Sequence, residues 1–273
     1  MNNFIAKLYA CQNKNKSLVC VGLDPNKLKI MALGVDLSTW LENIVDAVAD
    51  KVCAFKPQIA YFSAIGAEKE LIDIIAYIHK NYPDVGVILD AKRGDIGTTA
   101  EQYALEAFEK YKADAVTVNP YMGHDTLQPF LNYADKGVIV LCKTSNKGSN
   151  EFQNLKLENG RTIFQQVAHN ATHSWNTNNN VLLVVGATYP QELSEIRKIV
   201  GEMPLLIPGI GAQGGDIEAT LKSGLNKSFQ KSGLIISSSR GIIYAGDNKK
   251  NYAQAAREAC ESLNQQINDF WSI

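Results

Sequence analysis

Eight short apolar runs recur along this 273-residue chain, with helix-patterned segments between most of them. They are SLVCVGLD (17–24), VCAFKPQ (52–58), VGVILDAK (85–92), DAVTVNP (114–120), GVIVLCKTS (137–145), NVLLVVGAT (180–188), PLLIPGIG (204–211) and SGLIISSSR (232–240). They are nearly continuous in aliphatic and β-branched residues. A strand with one wet face alternates apolar and polar, so unbroken runs point to parallel strands covered on both faces. The covers are visible too. Leu37, Trp40, Leu41, Ile44, Val45 and Val48 follow the helical i, i+3, i+4 rule, and Leu71, Ile74, Ile75 and Ile78 share a face in 70–79. Thr98 and Glu101 read as a capping box opening a helix over 99–112, and Pro190 as the first residue of a helix carrying Leu193, Ile196 and Val200. Further helices are expected near 2–12 and over 251–270.

Strand and helix alternating eight times in about 250 residues is the pattern of a (β/α)8 (TIM) barrel. A doubly wound sheet fits less well, because no G-x-G-x-x-G follows the first run. The expectation is α/β, one barrel domain over 1–273. Its longest connection, about 146–180, is an elaboration with a turn at LENGRT, a helix near 162–175 and the polar NTNNN. Its length makes it a candidate lid.

A formal net charge of -1 gives no footprint for nucleic acid or a membrane surface. No apolar run is long enough to cross a bilayer, and the start, MNNFIAKLYACQNKNKSLVC, is too polar for a secretory signal. The five cysteines are scattered, with no C-x-x-C spacing, which argues against a disulfide framework or a cysteine zinc site. A reduced, cytoplasmic protein is expected.

In a barrel of this kind the chemistry sits at the C-terminal ends of the strands. There the sequence places Asp24, Lys56, Asp90, Lys92, Asn119, Ser145 and Thr188, then PGIGAQGGD (208–216) and SSSRGI (237–242). Asp90 and Lys92 are two apart on one strand and share a face. Any one Asp–Lys pair at a rim is usually structural and worth little. Charges ending three successive strands are another matter, because desolvating them together is costly without a function. The two late loops are where barrels bind phosphate, with backbone N–H groups and a fork-shaped guanidinium, and Arg240 fits that place. His169 and His173, four apart, suit a solvated helix face better than a metal site, and His124 lies near the mouth.

These motifs resemble a known family. DAKRGDIGTT is similar to the D-x-K-x-x-D-I motif of the orotidine 5′-phosphate decarboxylases. AFKPQIAYF, NPYMG, CKTSNKG, PGIGAQGG and SSSRGI are similar to segments of the longer bacterial group of that family, in the same order. The charged motif alone is shared with sister enzymes acting on keto-sugar phosphates. Lys56 and the two late loops make the orotidylate resemblance specific. The chain does not resemble the fused form with a preceding phosphoribosyltransferase.

The resemblance implies conversion of orotidine 5′-monophosphate to UMP and carbon dioxide, without metal or organic cofactor. By it, Lys92 stabilises and protonates the C6 carbanion and Asp90 lies beside the departing carboxylate. Lys56 and Asp95 complete an alternating Lys–Asp–Lys–Asp array. Asp24 contacts ribose with Lys56, Ser145 the pyrimidine, and Gln213, Ser239 and Arg240 the phosphate. Asn119 and Pro208 are further candidates for substrate contact. Asp95, Ile96 and Thr99 reach a neighbouring subunit's site, which implies a homodimer with shared sites. Arg93 is left for an outward salt bridge. The rival readings are a metal-dependent keto-sugar phosphate decarboxylase or synthase on the same barrel, and a non-catalytic phosphoribose-binding module.

Overall fold

A computed structural model describes residues 3–210, 215–226 and 231–271. Its strands are β1 (Val19–Leu23), β2 (Ala54–Pro57), β3 (Gly86–Arg93), β4 (Ala115–Val118), β5 (Gly137–Lys143), β6 (Val181–Val185), β7 (Leu205–Pro208) and β8 (Leu234–Ser238). Each pairs in parallel with the next, and β8 returns to β1, so the sheet closes as a (β/α)8 barrel.

Alternation along each strand sorts the residues into two layers. Cys20, Ala54, Ile88, Ala115, Ile139, Leu182, Leu206 and Ile235 pack together inside the barrel. Val19, Val21, Phe55, Val87, Leu89 and Val116 face outward, into a cluster with Trp40, Leu41, Ile75 and Phe108 of the helices. The N-terminal helix, Phe4–Asn15, sends Phe4 and Leu8 into the inner layer. A Cβ on Gly86 or Gly137 would come within 2.9 or 2.4 Å of the Phe4 ring, so these glycines let that ring close the barrel floor.

The expected helices form at Leu37–Val48, Glu68–Asn81, Pro190–Val200 and Tyr252–Trp271. The capping box at Thr98 does not form. That helix starts at Gly97, with Ile96 at its N-cap and no side-chain cap bond, because Gly97 at φ 51° turns the chain before Thr98. It runs to Leu105 and ends in a π-helical turn, Glu106–Lys110, rather than at 112. The 146–180 connection holds a short helix, Ser149–Gln153, and a second, Ile163–Asn170, continued by a π-helical turn to Trp175. Thr162 and Gln165 form a true capping box there.

Candidate active site

One step above the barrel plug, the same strand parity brings Asp24, Lys56, Asp90, Thr117, Leu141, Val184, Pro208 and Ser237 to the mouth. All eight line one cavity of about 560 Å³ at the C-terminal ends of the strands. Its rim adds Lys92, Ser145, Asn146, Gly209, Ser239 and Arg240.

Asp90 is the centre of its charge. Lys56 Nζ donates to Asp90 Oδ2 at 2.9 Å, and Lys92 Nζ to Oδ1 at 2.6 Å. Thr117 Oγ1 donates to Oδ1 at 2.9 Å. Burial alone would push the Asp90 carboxyl up, but Lys56 and Lys92 outweigh it and hold it well below the usual carboxylate range. Burial likewise opposes the Lys56 ammonium, and Asp90 and Asp24 outweigh it and raise its pKa. The pair stays ionised in the neutral range. Lys56 is 8 % exposed in its side chain and Lys92 45 %, so Lys92 presents the accessible ammonium.

Backbone strain marks the same spot. Lys92 sits at φ 48°, a left-handed conformation that costs a lysine free energy and persists only where its surroundings impose it. Asp24 Oδ1 is a buried carboxylate oxygen with no hydrogen-bond partner among the described residues, at the edge of the same cavity. Such an oxygen suits a hydroxyl donor.

Opposite lie the late loops. Gly209 has φ 103°, which only glycine adopts without strain, and Gly215 N donates to Gly209 O at 3.1 Å. A Cβ on Gly215 would lie 2.7 Å from that oxygen, so the loop closes only with glycine there. Ser239 and Arg240, just past the neighbouring strand β8, line the same rim, with Arg240 exposed. Gln213 lies outside the described residues.

The fold thus gathers Asp24, Lys56, Asp90, Lys92, Ser145, Pro208, Ser239 and Arg240. Four sequence candidates are not among the lining residues. Asp95 accepts from Ile96 N, at 2.8 Å, and Ile96 is 61 % exposed. Thr99 is exposed as well. Asn119 is exposed, and its Oδ1 accepts from Tyr121 N at 3.0 Å, closing a local turn. Arg93 pairs outward with Glu106, through Nε and Nη2 at 2.9 and 3.1 Å. His124 stacks on Trp175 and His169 on His173, none of them in the cavity.

Two residues escaped the sequence reading. Thr117 lies among aliphatic neighbours in AVTV and reads as an ordinary strand former, yet its parity with Ala115 puts it in the mouth. Lys143 is fully buried, and its Nζ donates to Ser149 Oγ, Asn150 Oδ1 and Asn154 Oδ1 at 2.9, 2.7 and 3.0 Å. It pins the start of the 146–180 connection beside Ser145. Burial lowers its pKa.

Comparison with known proteins decides the family. Residues 17–255 match the model of the orotidine 5′-phosphate decarboxylase / HUMPS family. The chain belongs to that family. The orotidine 5′-phosphate decarboxylases of Ralstonia pickettii and Dechloromonas aromatica are each 54 % identical to it, over 98 % and 97 % of this chain and 98 % of theirs. Decarboxylases are carboxy-lyases, and the chain is an enzyme of that class. The Leishmania donovani OMP decarboxylase structure is 39 % identical, covers 98 % of each chain and superposes with a TM-score of 0.85. That of Methanocaldococcus jannaschii, solved with the inhibitor BMP, is 27 % identical with a TM-score of 0.64, over 89 % of this chain and 97 % of its own. Among the described residues, no helix is long and apolar enough to cross a membrane.

Proposed function

We propose that this chain converts orotidine 5′-monophosphate to UMP and carbon dioxide, with Lys92 as the proton donor. The observation that carries the reading is the ionised Lys56–Asp90–Lys92 group on one side of a cavity whose other side is the Gly209 loop with Ser239 and Arg240. Ser239 and Arg240 hold the phosphate beside Gly209. Asp24 accepts from ribose hydroxyls, and Ser145 meets the pyrimidine. This leaves C6 and its carboxylate beside Lys92 and Asp90. Two negative charges pressed together there raise the energy of the bound substrate. The C6–carboxylate bond breaks heterolytically, carbon dioxide leaves, and the electron pair stays on C6. The Lys92 ammonium stabilises that pair, protonates it, and regains its proton from solvent. Phosphate binding, distant from the reacting carbon, supplies free energy for closing the site.

The working unit in this reading is a homodimer. Asp95, Ile96 and Thr99 lie off their own cavity, and exposed apolar side chains adjoin them. Gly94 packs by Asn119 and Met122, and Tyr121, 74 % exposed, contacts Phe152 with ring centroids 5.5 Å apart. A second copy covering this face brings Asp95 to the partner's cavity and completes the Lys–Asp–Lys–Asp array. Mixing inactive Lys92→Ala and Asp95→Ala chains should therefore restore activity in about a quarter of the sites after random exchange, half the dimers being mixed with one intact site each. A mixture still inactive after complete exchange rules out shared sites.

The activity is tested by following orotidylate absorbance with and without a chelator. One UMP should form per orotidylate consumed, equally in both. No loss of orotidylate overturns the reading: chelator-sensitive turnover of a keto-sugar phosphate then marks the metal-dependent branch, and binding without turnover a phosphoribose-binding module.

A further inference from the structure

The strained lysine has a local cause. In the pairing of β3 with β4, Leu89 stands opposite Val116 and Arg93 opposite Val118. Three residues of β3, Asp90, Ala91 and Lys92, therefore face the single residue Thr117, a bulge of two extra residues. A bulge interrupts the ladder, and the amides it frees need other acceptors. Here Ala91 N and Lys92 N both donate to Thr117 Oγ1, each at 2.9 Å. The ladder resumes beyond it, with Asn119 N donating to Arg93 O at 2.7 Å.

The hydroxyl's own bonding capacity then fixes its direction. A threonine hydroxyl has two acceptor lone pairs and one proton. Both lone pairs are taken by the two amides, so the proton points to the remaining neighbour, Asp90 Oδ1, at 2.9 Å. That oxygen also receives the Lys92 ammonium. One side chain, 1 % exposed, thus holds Lys92 at both ends: its backbone by the amide and its ammonium through Asp90.

We propose that Thr117 is a positioning residue for the decarboxylation, its hydroxyl holding Lys92 in the left-handed conformation that aims the ammonium at the reacting carbon. The inference rests on the proposed role of Lys92. Valine has nearly the same shape but offers the two amides no acceptor, whereas serine keeps the hydroxyl.

The test compares Thr117→Ser, Thr117→Ala and Thr117→Val by kcat and KM for orotidine 5′-monophosphate and by UMP affinity. Thr117→Ser should stay within about threefold of wild type. Thr117→Ala and Thr117→Val should lose about 10²-fold in kcat, the usual cost of an ångström-scale misplacement, with UMP affinity almost unchanged. Where valine does not fold, the serine and alanine variants carry the comparison. Placed in a Lys92→Ala background, Thr117→Ala should remove almost nothing more, because the hydroxyl acts through the lysine. A serine variant as impaired as alanine, an alanine variant with full kcat, or equal losses in both backgrounds overturns the proposal. Absence of wild-type turnover would overturn the decarboxylase reading and this one with it. Normal wild-type turnover with an unaffected alanine variant overturns this one alone.

Discussion

Asp90 and Asp114 are made of the same ingredients at opposite ends of the barrel. Each is largely buried, each meets two basic side chains, and each carboxyl is held below its usual pKa. Their surroundings separate them. Asp114 Oδ2 accepts from Lys7 of the first helix at 3.1 Å, and from Val87 N of β3 at 2.8 Å. It also lies 3.0 Å from His79 Nε2, on the helix Glu68–Asn81. It ties three elements together beneath the strands. Asp90 is reached by strand-end side chains leaning over one cavity, one of them on a left-handed lysine. A perturbed carboxylate therefore does not by itself mark a site. The marks here are a left-handed lysine inside a strand whose ammonium bonds the carboxylate, an unsatisfied buried oxygen on Asp24, and the glycines of the loop after β7 opposite.

The sharpest way to break this contrast is Lys92→Ala. The side chain is 45 % exposed and Asp90 keeps Lys56, so the fold should survive. Turnover should fall by at least about 10²–10³-fold, the effect of removing one preorganised group from a transition state, while UMP still binds. Steady-state kinetics with a UMP titration checks both. Next in size is Arg240→Ala. It should lower kcat/KM for orotidine 5′-monophosphate by about 10²-fold, or about 2.7 kcal/mol, and hardly affect the unphosphorylated nucleoside. Equal losses for both would remove Arg240 from phosphate recognition.

The smallest effect belongs to the other end. Asp114 titrates at about 2 when folded, against about 3.9 in an unfolded chain. A depressed carboxyl contributes stability above the unfolded value and loses it as pH falls through the folded one. About 2–3 kcal/mol should therefore be present above pH ~4 and be lost between pH ~4 and ~2. Asp114→Asn should flatten this part of the stability–pH curve in urea melts and leave turnover per folded molecule at neutral pH unchanged. A loss of turnover matching that of Lys92→Ala would erase the distinction between the two ends.

The sequence already shows much of this division, and its silences have physical reasons. Lys56, Asp90, Lys92, Ser239 and Arg240 end apolar runs, so the strand pattern points to them. Arg93 is correctly turned outward by the same parity. Thr117 and Lys143 are hidden because each sits inside a run, where threonine passes for a β-former and lysine for a strand end. What each does depends on a partner brought by folding, a bulge for one and the helix Ser149–Gln153 for the other. Asp114 begins its run, the end where no chemistry is expected. The capping box failed because one glycine, Gly97, started the helix early.

The ammonium at position 92 itself can be put to the test by removing it and putting it back. All five cysteines are buried, so Lys92→Cys adds a thiol more accessible than any of them. Alkylation with 2-bromoethylamine converts that thiol into a lysine-like side chain carrying sulfur in place of one methylene. We expect Lys92→Cys to be inactive towards orotidine 5′-monophosphate, and aminoethylation to return a substantial part of the wild-type turnover in proportion to the modification measured by mass spectrometry. A folded, fully aminoethylated protein that still binds UMP yet shows no recovery would contradict the assignment of Lys92 as the group that stabilises and protonates C6.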